Sequence, residues 1–184
     1  MKTILANENI KYEGWQLAPH WIYKTFHVLG DAIVAFRGEC EVKLSEMVDI
    51  EDVINNEPIY SKDMLSFITE QFNVNIVEGV FRQRLLICVI KEVLEKRGYK
   101  VQRNGDDLII DNKKLTVSIA TKTMTSILIH TGINIDSTGA PVSACGLTND
   151  LGITDIEVFA EEVMQLYSEE IDDIILAAAK VECR

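Results

Sequence analysis

The sequence predicts an α+β fold, a mixed and mainly antiparallel sheet covered by helices. Two observations point there. The elements read in the order helix, strands, helix, strands, helix, which suits a sheet layer with helices packed against it. At 184 residues and 47% hydrophobic content the chain can fill one apolar core, and no repeat, linker or low-complexity stretch divides it, so residues 1–184 read as a single domain.

In LAPHWIYKTFHVLG, Pro19 stands near a helix start, Trp21, Ile22, Phe26 and Leu29 recur at helical intervals, and Gly30 is a stop. DAIVAFRGECEVKL alternates around Cys40 and Val42 and predicts one or two strands meeting near Gly38. SEMVDIEDVINNEP carries Glu46, Asp49, Glu51 and Asp52 and predicts a short surface helix or turn ending at Pro58. In SKDMLSFITEQFNV, Leu65, Ile68 and Phe72 fit a helix, whereas Leu65, Phe67 and Thr69 fit a strand; we assign a strand.

From Val77 to Gly98 apolar residues at helical spacing, basic residues in the last turn and a terminal glycine predict the most secure helix. YKVQ, DLIID, KLTVSIAT and MTSILIHTGINI read as four strands, with turns at Gly105 and DNKK. A glycine- and serine-containing loop through Cys145 and Gly146 leads to a final helix. Thr154 is its expected N-cap, with Glu157 three residues on, and it runs to about Lys180. Its expected buried face is Ile156, Phe159, Val163, Leu166, Ile171, Ile174 and Ile175.

A net charge of -11 opposes a phosphate backbone, so no nucleic acid partner is expected. The basic residues from Arg82 to Arg103 read as a solvated helix face and the turn after it. No apolar run reaches the ~20 residues of a membrane span, and Asn and Glu interrupt the N-terminal stretch where a secretory segment would continue. The expectation is a soluble cytoplasmic protein without a membrane partner. Cys40, Cys88, Cys145 and Cys183 are far apart and lack a C-x-x-C pair, which predicts reduced thiols and no zinc site. Cys88 reads as core packing, and Cys183 carries no signal. The final helix stretch IDDIILAAA could serve a homodimer as well as a core.

The segment Gly105–Gly146 holds the residues with most chemical content. Lys114 opens a strand and can aim an ammonium at an anion or carbonyl. Its plain alternative is a turn lysine in solvent. Cys145 before Gly146 is a reactive thiol if a cation lowers its pKa, and otherwise a small buried hydrophobe. His130 ends an apolar strand, where a structural histidine is the ordinary outcome. Asp106 and Asp107 follow a turn glycine, as solvated acids or as groups that orient the lysine.

Lys114-Leu115-Thr116, His130-Thr131-Gly132, Ile133-Asn134-Ile135-Asp136 and Ala144-Cys145-Gly146-Leu147 resemble, in order and spacing, motifs of the biotin and lipoate protein ligase superfamily, including its octanoyl transferases. Asp106-Asp107-Leu108 resembles the turn that precedes the lysine strand in lipoate ligases. The resemblance implies the biotin/lipoate ligase fold. It also implies an acyltransferase or ligase acting on a small carboxylic acid or acyl carrier, with Lys114 and Cys145 as catalytic residues. Cys145 would attack an acyl carbonyl and Lys114 would lower its pKa. Arg37, Gly38, Asp107, His130 and Gly132 would bind substrate.

One departure stands out. Where the family has a glycine- and arginine-rich loop for phosphates, this chain offers Arg37-Gly38-Glu39. A carboxylate there repels an anion, so the cofactor stays unassigned and ATP use is in doubt. Val117, Ser118 and Ile119 also stand where the family has a glycine after the lysine. A second reading is a non-catalytic binding module on the same fold with a degenerate nucleotide loop. In that reading the acids from Glu46 to Asp52 form a contact surface or a weak cation site.

Overall fold

The computed structural model describes residues 1–182, so Cys183 lies outside the described residues. In chain order the elements are β1 (Lys2–Leu5), α1 (Trp21–Phe26), β2 (Ala32–Val42), a 3-10 turn (Leu44–Glu46), α2 (Ile50–Asn55), β3 (Ile59–Phe72) and α3 (Ile76–Lys96). They continue with β4 (Gln102–Asn104), β5 (Asp107–Ile110), β6 (Lys113–Lys114), β7 (Thr116–Lys122), β8 (Ser126–Asp136) and α4 (Ile156–Ala179). A five-stranded sheet has the order β1-β2-β3-β8-β7, and β4-β5-β6 form a small three-stranded sheet. All pairings are antiparallel except β1 with β2. The α+β architecture expected from the sequence is observed.

Alternation along the strands divides the large sheet into two faces. Ile33 and Ala35 of β2, Leu65 and Phe67 of β3, and Ile133 and Ile135 of β8 point to α3 and α4, where they join Leu86, Ile90, Phe159 and Val163. Each of the larger fully buried side chains, Ala35 aside, is worth about 1.5–3 kcal/mol of transfer free energy. The intervening residues Val34, Phe36, Met64, Ile68 and Leu128 face the other way, under the N-terminal segment and Trp21 and Ile22 of α1. That cover is fastened by Glu70, whose buried carboxylate accepts from the His20 backbone N–H at 2.7 Å and from Ser126 Oγ at 2.8 Å.

Local chemistry explains several boundaries. Asn75 caps α3 by accepting from the Glu78 N–H. Asp111 and Asn112, at φ 49° and 61°, make the left-handed turn between β5 and β6, a conformation asparagine and aspartate tolerate better than other residues.

Other boundaries correct the sequence reading. The strand β1 was not anticipated, because four half-exposed residues carry no periodic signal. KLTVSIAT divides at Leu115, whose N–H bonds Leu108 while its carbonyl accepts from Asn134. Asp155, not Thr154, is the residue before α4, and its side chain makes no cap because Arg97 takes it at 3.1 Å. Ile174 and Ile175 are half exposed instead of buried, since α4 outruns the sheet it covers. Cys88 is half-buried. Arg82 and Arg97, read as solvated, are partly buried against Glu78 and against Asp155 and Glu162.

Candidate functional site

A cavity of about 310 Å³ opens on the sheet face away from α3 and α4. Its floor includes Met64, Val117, His130 and Asn134; the N-terminal segment contributes Tyr12 and Leu17, and the 137–144 loop closes one side. Six acids line it: Glu46, Asp49, Asp52, Glu57, Asp106 and Asp107. Lys114 is the one lysine or arginine among the described lining residues.

Lys114 reaches this position because β6 is short and parallel-bridged to Ala144, so consecutive lysines diverge. The Lys114 ammonium sits 2.9 Å from Asp107 Oδ1, and Lys113 turns instead to Asp150 at 2.9 Å. Asp107 and Asp106 lie at the turn into β5. Asp106 is held by Arg84 at 3.0 Å and by the Gln83 amide at 3.1 Å, and that amide also donates to Ser118 Oγ. Helix α3 therefore fixes the acidic turn against the sheet. Burial and the neighbouring carboxylates of Asp49 and Glu57 push the Asp52 carboxyl above its ordinary range, with Lys114 pulling the other way.

His130 is 2% exposed, one ring nitrogen lies 3.2 Å from Ser66 Oγ, and its ring stacks on Tyr12 with centroids 3.6 Å apart. Burial lowers the imidazole to about 3, so it is neutral near neutral pH. Tyr12 is carried by a loop that Gln16 ties down, donating to Lys11 O and accepting from the Glu13 N–H. Burial raises its phenol well above the ordinary range. Gly132 lies between His130 and Asn134 on the floor, and a Cβ there would stand 2.2 Å from Met64 Sδ. Its lack of a side chain lets Met64 lie across β8 and form part of the floor.

Three expected site residues are elsewhere. Cys145 is 2% exposed within the hydrocarbon between the sheet and α4, and it does not line the cavity. Burial first, then Asp150, pushes its thiol up to about 11; Lys113, not Lys114, is the cation that opposes this. The pairing of Lys114 with Cys145 expected from the sequence is thus replaced by two separate arrangements. Adjacent residues of an extended chain point to opposite sides, which separates Lys113 from Lys114. Arg37 is spent on Asp63, by hydrogen bonds of 3.0 Å from Nε, and Gly38 admits the Ile10 carbonyl at 2.2 Å from where a Cβ would stand. Neither lines the cavity. No group of three or more His, Cys, Asp or Glu among the described residues is arranged to hold a metal ion. No helix among them is long and apolar enough to cross a membrane.

Sequence reasoning missed Tyr12, Met64 and Ser66. Met64 and Ser66 sit in a strand read only for its periodicity and Tyr12 in a stretch with no periodic signal, and their convergence is set by strand register and tertiary packing.

Two relatives match along nearly the whole chain. An uncharacterized protein of Methanocaldococcus jannaschii, MJ0805, is 41% identical over 180 residues, covering 95% of this chain and 81% of its own. The solved structure of a protein of unknown function from Pyrococcus horikoshi superposes with a TM-score of 0.95 at 38% identity, covering 100% of this chain and 98% of that one. At the level of fold alone, a bi-partite lipoate protein ligase from Thermoplasma acidophilum matches with a TM-score of 0.58 and 12% identity, over 93% of this chain and 84% of that one. The architecture is that of the lipoate and biotin protein ligases. With residues 1–182 matching its pattern, the chain belongs to the family described as a domain of unknown function, DUF366.

Proposed function

We propose that this protein handles acyl groups as a ligase-type relative. It binds a small carboxylic acid, or its activated acyl form, in the cavity and passes the acyl group directly to an acceptor brought to the mouth. The observation that carries the reading is the position of Lys114, the lone lysine or arginine among the described lining residues of a cavity on a ligase-type fold. Cys145 has no part in this chemistry, because a thiol raised to about 11 in hydrocarbon is neither charged nor reachable.

With an acyl thioester as donor and an amine as acceptor, the amine nitrogen adds to the carbonyl carbon. The Lys114 ammonium holds the oxygen that becomes negative, and the amine proton passes to Asp107. The oxyanion then collapses, the C–S electron pair leaves with the thiol, and that sulfur takes up the proton. An amide is formed and no further reactant is needed. The acceptor class is suggested by the fold neighbour, a bi-partite lipoate protein ligase described together with its E2 lipoyl domain.

The test is turnover of octanoyl thioesters with an amine acceptor. Lys114→Ala is expected to lower the rate at least a hundredfold, and Cys145→Ala to leave it within about twofold. A second reading is a binding module without turnover, favoured by the filled space beside Gly38. Lys114-dependent binding of acids without any transfer would select it.

A further inference from the structure

Among the described residues, α2 is the one α-helix with no buried side chain. Ile50, Val53 and Ile54 recur at i, i+3 and i+4, so they share one face of it, and they stand 74%, 41% and 76% exposed. A helix of six residues has too few hydrogen bonds to hold itself, and packing of an apolar face is what ordinarily stabilises one. This face has no packing partner of its own. One face over, Asp49 and Asp52 line the cavity, together with Val48 before the helix and Glu57 after it. The 137–144 loop adds exposed Val142 to the same lining. The stripe is therefore part of the cavity's rim.

Charge decides what covers it. Between Lys43 and Lys62 the sequence holds Glu46, Asp49, Glu51, Asp52 and Glu57 and no lysine or arginine. Burial, with Asp49 and Glu57 nearby, already holds the Asp52 carboxyl above its ordinary range, so a cation arriving at this rim relieves repulsion. A second copy of the chain brings the same acids, and an anionic membrane surface brings phosphates; both are repelled.

We infer that α2 is a docking face for a basic amphipathic segment of another protein, which lays apolar side chains over Ile50 and Ile54 and sets lysines or arginines against Asp49, Asp52 and Glu57. Burial of the isoleucines carries the affinity, while exposed ion pairs add little and select the partner by charge. The docking stands on this surface alone. That one of the segment's lysines is the acyl acceptor rests on the acyl-transfer reading above.

Fluorescence anisotropy of labelled peptides at physiological ionic strength tests it. The probes are a peptide of leucine and lysine at helical spacing, its leucine-glutamate counterpart, and a serine-lysine peptide of equal charge. The first is expected to bind roughly tenfold tighter than either other. The paired change Ile50→Ser and Ile54→Ser is expected to weaken it roughly tenfold. The melting temperature should not move, since both side chains stand in water and serine matches isoleucine in helix propensity. Ile174→Ser with Leu176→Ser alters the exposed apolar end of α4, beside Asp172 and Asp173, and is expected to leave peptide affinity within about twofold. Binding that survives the α2 change, that falls equally with the α4 change, or that the serine-lysine peptide matches overturns the docking face. Absence of binding does the same, including the case in which the α2 change weakens octanoate binding instead because the stripe closes over the cavity. Lys114→Ala separates the two claims, for it is expected to spare docking and abolish octanoyl transfer to the peptide's lysines. Docking through α2 without Lys114-dependent transfer overturns the acyl-transfer reading alone. Lys114-dependent transfer to a small amine without docking through α2 overturns the docking face alone.

Discussion

The two faces of the large sheet are built from the same strands and differ in what covers them. Toward α3 and α4 the strands present Ile, Leu, Phe and Val to two long helices, and the space is filled with hydrocarbon that also encloses Cys145. On the other face the cover is an irregular N-terminal segment, a six-residue helix and a loop, and there the strands present Ser66, His130 and Asn134. Helices pack a sheet closely because their side chains interdigitate along a continuous ridge. Loops cover it incompletely and leave hollows whose walls can be polar. The filled core lies on one side of the sheet, and the hollow proposed to take a ligand lies on the other.

If that division is right, the largest effect belongs to Phe159→Ala on the helix side. It should cost about 3–5 kcal/mol by denaturant titration, with the affinity of the folded protein for its acid unchanged. A loss of affinity without loss of stability would break the comparison.

Acid should act chiefly through the cavity side. The imidazole of His130 is lowered from 6.5 to about 3 by burial, whereas in the unfolded chain it returns to the ordinary value. Between those values the unfolded chain binds the extra proton, so stability is complete above about pH 7 and falls as the pH drops toward about 3. The loss is on the order of 4 kcal/mol at the acid end. Denaturant midpoints of wild type and His130→Asn from about pH 7 to about pH 4 should show a slope that the variant flattens.

Cys145→Ala should cost about 1–2 kcal/mol, the price of a small void on the helix side, and leave acyl transfer intact. Abolished transfer with a folded protein would move chemistry to the face assigned to stability.

Much of the fold was legible in the sequence, for a physical reason. The apolar periodicity of residues 76–96 and the alternation of β8 record burial against neighbours close along each element. The site was legible only in part. Lys114, Asp107 and His130 line one cavity, but spacing along a chain does not say which side of a strand a residue takes. That choice put Lys113 beside Cys145 and sent Lys114 to the cavity. Arg37 and Gly38 went astray because the N-terminal segment runs alongside β2, with Ile10 donating to the Arg37 carbonyl. Nothing within β2 foretells that neighbour. Tyr12 likewise meets His130 across more than a hundred residues of chain, a contact set by tertiary packing.

β8 serves both halves of the molecule at once. Its odd-numbered isoleucines are buried toward the helices, while His130 and Asn134 reach the hollow. Removing or adding one residue inside it would exchange the two sets, placing imidazole and carboxamide in oil and isoleucine against the ligand. Descendants of this sequence can therefore change what they bind by substitution at alternate positions of this strand, or by altering the length of the 137–144 loop. They cannot do so by indels within the strand itself.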